Sequence, residues 1–389
     1  MKQLQYVITV LLIITFTIST QAQQTKAETE IQSIMKELDA AGLSVVVVKH
    51  NKIIYTKSFG YKDIESNTLL GNNDIFRIAS ISKSFTATSI MQLIEAGKLH
   101  LSDDISGLVG FKVRNPNFLN TVITLKMLMS HTSSLNDSQG YFNLDVINPD
   151  KGVNFARCYN SYEPGKGYEY CNLNYNMLGV VLEKISGQRF DQYIKHHILE
   201  PLGLYGGYCV DSLDKTRFTT LYEYDGKTHK LTPDPMAYNP RSEEIENYVM
   251  GYSTPILSPT GGMKISAADL AKYMMMHMNY GKINGVRIIS KKSSKLMQTK
   301  VSDNEGGYGL ALRGSIDLIS GKEMMGHTGS AYGLYSAMFW QPNEKFGFIV
   351  ITNGCNPAYA PGSADIVNFS RKMINCLYSN FIADSGSSN

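Results

Sequence analysis

Charge is scarce in this sequence. Asp, Glu, Lys and Arg make up 18% of 389 residues, and the formal net charge is only +3. There is no run of Lys or Arg and no interleaving of basic and aromatic residues, so nothing marks a nucleic-acid partner. Cysteine is sparse and odd in number. The five thiols at 158, 171, 209, 355 and 376 leave at least one unpaired within the chain, although a Cys158–Cys171 bridge is sterically open to it. Cys-x-x-Cys and His-Glu-x-x-His are both missing, and the adjacent His196 and His197 point in different directions on a helix. We therefore expect no metal and no cofactor. A Gly-x-Ser-x-Gly elbow and a dinucleotide fingerprint are absent. Gly226-Lys-Thr228 has Leu221 where a phosphate loop needs its first glycine.

A long apolar run is also lacking. Val7 to Ile18 is apolar apart from threonines, but it falls short of the roughly 20 residues that span a bilayer. With Lys2 before it and Thr20-Gln21-Ala22 after it, it reads as an export signal over 1–22. The expectation is a mature chain from about Gln23, periplasmic or secreted, with no stable membrane insertion. Losing Lys2 leaves a charge of +2.

What is present is apolar mass: 43% hydrophobic residues and 24 tyrosines, enough for a large core. Ile31, Ile34, Met35 and Leu38 share one side of a helix predicted over Glu28–Ala40. Leu43–His50 and Lys52–Gly60 predict a hairpin turning at Asn51. From Lys98 to about Tyr248 helical spacing dominates, with a short stretch at Ile123–Met129 and helices over Asn172–Ile185, closed by Gly187, and Phe190–Leu199, stopped by Pro201. Residues 210–248 are polar, Tyr-rich and weakly patterned, and read as a long surface excursion or lid. Ser266 and Asp269 open a helix through Met278, whose methionines read as ordinary core, with the lining of an apolar pocket as the alternative. Strands follow at Tyr308–Arg313, Lys322–Thr328, Tyr335–Gln341 and Phe346–Asn353, then a helix over about Ala364–Phe381. The expected fold is α/β (α+β): an antiparallel sheet of about five strands flanked by helices, built from 23–97 and 249–383. A helical domain, 98–248, is inserted into it. The tail 384–389 is expected to be disordered.

The chemistry centres on Phe76-Arg-Ile-Ala-Ser-Ile-Ser-Lys83. Ser80 and Lys83 share one face at the start of an apolar helix that Gly97 should stop, an arrangement suited to activating a hydroxyl. Ser-x-x-Lys also occurs at Ser33/Lys36 and Ser212/Lys215, so the pair needs partners. Two are available. Tyr170-Cys-Asn172 opens a helix after Pro164-Gly165, although Tyr-x-Asn recurs at Tyr141/Asn143 and Tyr378/Asn380. His327-Thr-Gly-Ser330 closes a strand.

Together with Ile123–Leu135, which contains Ser130-His-Thr-Ser-Ser-Leu135, and with Gly261-Gly262, these elements occur in an order that resembles the serine β-lactamase and penicillin-binding-protein superfamily. The resemblance is to the branch of class C β-lactamases, D-amino-acid peptidases and related esterases, and runs from about Ile34 to Asn353. It implies an acyl-enzyme on Ser80, with Lys83 and Tyr170 sharing its proton and Asn172 holding the lysine and a substrate amide. Backbone N–H groups of Ser80 and Ser330 would form an oxyanion hole beside Thr328 and Gly329. A Tyr phenolate near pH 7 would need about 4 kcal/mol of help, for which an adjacent lysine cation is the expected source.

The chain departs from the family at His327, where its β-lactamases carry lysine. A neutral imidazole is a poor partner for a β-lactam carboxylate, which moves the expectation towards esters, amides and D-amino-acid peptides. Ser134 stands where glycine is common, and Cys171 where a small residue is usual. The expectation is thus an exported serine hydrolase acting on a small-molecule substrate. An acyltransferase with a bulky apolar acceptor, or an acyl-trapping β-lactam sensor, is the alternative.

Overall fold

The computed structural model describes residues 23–302, 307–358 and 366–383. The proposed leader and tail lie outside these residues. Among the described residues no helix is long and apolar enough to cross a membrane.

The frame is a seven-stranded antiparallel sheet. Its strands run in the order Arg313–Ile319, Lys322–Ala331, Leu334–Gln341, Phe346–Thr352, Gly42–Lys49, Lys52–Asp63 and Thr68–Leu69. The N-terminal strand sits inside it, with Val45 opposite both Val350 and Lys57. Val45 to Val48 are all fully buried because helices cover both faces of the sheet. Val45 and Val47 meet Ile31, Met35, Phe369 and Met373 on one face. Val46 and Val48 join the larger core with Met274 and Met276 on the other. The methionines of the Ala267–Met278 helix are thus core, and Ser266 caps that helix by accepting the Asp269 N–H at 3.2 Å. The first helix covers 23–37 of the described residues rather than 28–40.

The sheet is wider than expected, and one strand lies elsewhere. Tyr308–Leu312 is a buried turn, and the strand starts at Arg313. Ala311 has φ of 64° and donates its N–H to Met129, while Leu310 donates to Met297. The apolar run there serves packing, which hydropathy cannot tell from a strand. The last helix is described as Asn368–Phe381.

Between Lys98 and Tyr248 short helices dominate, and the Asn172–Ser186 helix ends at Gly187 with φ 71°. Its Glu183 is fully buried yet satisfied, accepting from the Phe190 and Gly251 N–H groups and the Tyr248 and Thr254 hydroxyls. The helical run from Phe190 passes Pro201 and ends at Gly203, because a widened turn at Lys195–Leu199 precedes the proline. Residues 210–248 are more ordered than their composition suggests. They hold a hairpin of Leu221–Asp225 and Lys230–Asp234, anchored where the Tyr222 N–H donates to Asn353.

A second, three-stranded sheet of two-residue strands lies next to the turn that carries Ser80. Lys264–Ile265 is its centre, paired antiparallel with Phe76–Arg77 and Gly206–Gly207. The five cysteines are all free and buried, so no Cys158–Cys171 bridge forms. Their sulfurs instead lie against the Val146 carbonyl and the Asp137 carboxylate.

Candidate active site

Ser80 lies in a 3-10 turn, Ala79–Ile81, that leads directly into the Ser82–Glu95 helix. Ala79 is held at φ 47°, a region that costs an L-residue about 1 kcal/mol, so the surroundings must impose it. They do: the Ile78 N–H donates to Met263, and the Ser336 hydroxyl donates to the Ile78 carbonyl. Gly329 makes this approach possible. A Cβ there would lie 2.3 Å from the Ile78 oxygen and 3.1 Å from the Ala79 Cβ.

The helix carries Lys83 into the interior. It is fully buried, and its Nζ lies 3.0 Å from Ser80 Oγ, 2.8 Å from Asn172 Oδ1 and 2.9 Å from the Thr260 carbonyl. Burial pushes its pKa down to about 7, opposed in part by the Asp137 carboxylate and Cys171. A neutral amine satisfies this geometry: two N–H bonds go to the pure acceptors, and the lone pair is left facing the Ser80 hydroxyl. The other Ser-x-x-Lys pairs are exposed at all four residues, so burial sets Ser80 and Lys83 apart from them.

Asn172 starts its helix and reads both sides of the site. Its Oδ1 accepts from Lys83 and from the Thr260 hydroxyl at 2.7 Å, and its Nδ2 donates to Asp137 at 2.9 Å. Asp137 also accepts the N–H groups of Asn172 and Leu173, at 2.8 and 2.9 Å, satisfying the helix N-terminus from another segment. Sequence reading missed Asp137, because nothing in its spacing announces a contact 35 residues away. Thr260 was missed for the same reason.

Tyr170 stacks beside Lys83, with Nζ 4.8 Å from the ring centroid. Its hydroxyl is buried and lies beside the Ser80 hydroxyl. Burial drives its pKa well above the ordinary 10, and the neighbouring Ser80 hydroxyl offsets only part of this. The lysine lies against the ring face and is itself pushed towards neutrality, so it does not supply the stabilisation a phenolate would need. Behind the ring, His131 packs at 4.3 Å and accepts the Cys171 N–H at Nδ1, 3.1 Å away. Burial holds His131 well below the usual imidazole range. The sequence had marked this residue only as part of a longer motif.

A cavity of about 340 Å³ opens over Ser80, lined by Asn172, Thr260, Ser330, Tyr141, Phe142 and Tyr332 among others. Ser330 therefore faces the site, and Thr328 and Gly329 lie beside it on the same strand. His327 does not line this cavity. It is 3% exposed, donates from Nδ1 to the Thr328 carbonyl at 2.5 Å, and accepts at Nε2 from Tyr308, 3.1 Å away. Burial pushes its pKa down to about 3, so it is neutral, with both nitrogens engaged. Among the described residues no cluster of His, Cys, Asp and Glu could hold a metal ion.

The β-lactamase family model matches residues 27–367. The chain belongs to the β-lactamase family. Protein flp of Staphylococcus aureus (strain MRSA252) is 24% identical to this family member over 362 residues, covering 90% of it and 66% of flp. The chain thus spans just under two thirds of that relative's length. Among solved structures, the octameric penicillin-binding protein homologue from Pyrococcus abyssi matches with a TM-score of 0.71 and 27% identity, over 91% of this chain and 77% of that one. EstCE1, a hydrolase with promiscuous acyltransferase activity, matches with a TM-score of 0.73 and 20% identity, over 93% and 100%.

Proposed function

We propose that this β-lactamase-family protein is a serine hydrolase that forms an acyl-enzyme on Ser80 with small esters, amides or D-amino-acid peptides. One observation carries the reading: a buried amine with pKa near 7 lies 3.0 Å from a serine hydroxyl that opens onto a cavity. In this scheme neutral Lys83 takes the Ser80 proton as the oxygen bonds to the substrate carbonyl. The Ser80 and Ser330 N–H groups receive the oxyanion, a contribution of about 3 kcal/mol per donor. The Tyr170 hydroxyl, kept neutral beside Ser80, delivers a proton to the leaving group and is reprotonated by the proton that Lys83 took from Ser80. Water then hydrolyses the ester on Ser80.

Acyl transfer is the second reading. The aromatic wall of Tyr141, Phe142 and Tyr332 would seat an apolar alcohol or amine in place of water, and the activity in EstCE1's description is of this kind. Export through residues 1–22 is part of the proposal, and N-terminal sequencing of the secreted protein would test it.

Intact-mass spectrometry with an activated ester and a β-lactam, beside Ser80→Ala, tests the chemistry. A transient acyl adduct on the wild type alone is expected. An adduct that persists points to an acyl trap. No adduct with any donor would sink the catalytic reading.

A further inference from the structure

The three-stranded sheet beside Ser80 sets two basic side chains against each other. Arg77 and Lys264 are directly opposite residues of antiparallel strands, so their side chains leave the same face. Like charges in that register are unfavourable even at a surface. Here they are 7% and 3% exposed, and neither has a carboxylate partner among the described residues.

Their hydrogen bonds are incomplete. Lys264 Nζ donates once, to the Tyr208 carbonyl at 2.5 Å, and its burial beside Arg77 and Arg241 pushes its pKa well below the usual lysine range, so it keeps spare hydrogen-bonding capacity and no stable charge of its own. The Arg77 guanidinium makes one good bond, Nε to the Gly261 carbonyl at 3.0 Å. Its other two contacts, to the Ala237 carbonyl and Ser258 Oγ, are long at 3.4 Å. The nearby Asp191 is already engaged by Arg189 through two bonds.

Both side chains line a cavity of about 250 Å³ that is separate from the one over Ser80. Arg241 lines it too, its guanidinium already paired with Glu244 at 2.8 Å, and Tyr208, Met236 and Leu257 supply apolar and aromatic walls. The two cavities share Arg77, Phe142, Ser258 and Tyr332, so they adjoin. The Tyr332 ring, 4.8 Å from the guanidinium carbon, forms part of the partition.

We propose that Arg77, Lys264 and Arg241 form a carboxylate-binding subsite next to the nucleophile, and that preferred substrates carry an anionic group on a short apolar arm. The assignment rests on the acyl-enzyme reading for its orientation towards Ser80. It accounts for a buried guanidinium and a buried amine left without counter-charge, an arrangement in which a bound anion would restore the lysine's proton, and it supplies the anion recognition that His327 cannot. A carboxylate bridging Arg77 and Lys264 would take up spare donors on both and neutralise their repulsion.

The test combines binding with turnover. Hexanoate, hexanamide and inorganic phosphate are titrated into the full protein by calorimetry. In parallel, kcat/KM is measured for 4-nitrophenyl hydrogen adipate and its neutral methyl ester. Hexanoate should bind at least tenfold tighter than hexanamide, and the anionic ester should be preferred by a similar factor. Lys264→Met, close in volume and uncharged, should cut both ratios at least tenfold. Arg241→Met at the half-buried position should do the same to a smaller extent, and serves if the first variant fails to fold. Equal binding of hexanoate and hexanamide, or ratios indifferent to both substitutions, would overturn the subsite, and phosphate binding tighter than hexanoate would overturn its carboxylate class. Hexanoate discrimination that depends on Lys264, with no Ser80 adduct from either ester, would leave the subsite standing and remove the hydrolase reading instead.

Discussion

At the residue scale the site turns on one displaced pKa. An ordinary lysine stays protonated to pH 10, but burial brings Lys83 to about 7. With the neutral amine as the proposed base, kcat/KM should rise with pH through about 7 and level off above it. A pH–rate profile with an activated ester measures this. The same limb should persist in His327→Asn, because the imidazole titrates far lower, near 3. Asp137 sets the position of the limb without touching substrate. Its charge raises the Lys83 pKa, and its oxygens hold the Asn172 amide and the helix N-terminus. Asp137→Asn should therefore lower kcat about tenfold and move the acid limb to lower pH. A merely structural role would reduce activity or stability with the limb in place.

At the element scale the close approach of one strand to one turn fixes the nucleophile. The Lys322–Ala331 strand runs against Ala79 and Ile78 at Gly329, where a Cβ would meet a backbone oxygen at 2.3 Å and Ser336 Oγ at 2.5 Å. Neither strand nor turn can retreat cheaply, since the strand is paired to Leu334–Gln341 and the turn is bonded to Met263. Gly329→Ala should cost about 2 kcal/mol in a urea titration and displace Ser80. Its acylation rate, followed by mass, should fall more than tenfold in folded protein. A variant as stable and as reactive as the wild type would refute this account of the glycine. Ser134, at φ 63°, shows the contrasting case. A position that favours glycine keeps a side chain here, and its oxygen accepts from Asn115 at 3.0 Å.

At the scale of the whole molecule, burial of neutral histidines ties stability to pH. His277 and His327 are both pushed down to about 3 by burial, and His131 lies well below its ordinary value. Between pH 6.5 and 3 the unfolded chain binds protons that the native state refuses, so stability rises with pH across that window. It should be fully present above about 6.5 and fall steadily towards pH 3. Thermal unfolding from pH 8 to 4 would reveal the slope, and His277→Gln, remote from Ser80, should flatten it. A melting temperature independent of pH over this range would contradict the burial of these rings as neutral groups.

The central helix with Gly97 after it, the hairpin, the helix from Asn172 to Gly187 and the three strands from Lys322 onward were legible in the sequence. Each is a local matter of periodicity, capping and glycine placement, and the residues that form it are neighbours in the chain. The family motifs likewise marked Ser80, Lys83, Tyr170, Asn172 and Ser330 as a set. What the sequence could not rank was burial. Lys36, Lys83 and Lys215 look alike as letters, and only packing removes water from one of them and moves its proton. Nor could it foresee Asp137 reaching the Asn172 amide, His327 turning away to Tyr308, or Arg77 lying opposite Lys264. Those contacts join segments 35, 19 and 187 residues apart, and the pairing of distant strands and loops settles them. Local order is written in the chain, whereas the electrostatics of the site arise only when the fold excludes solvent.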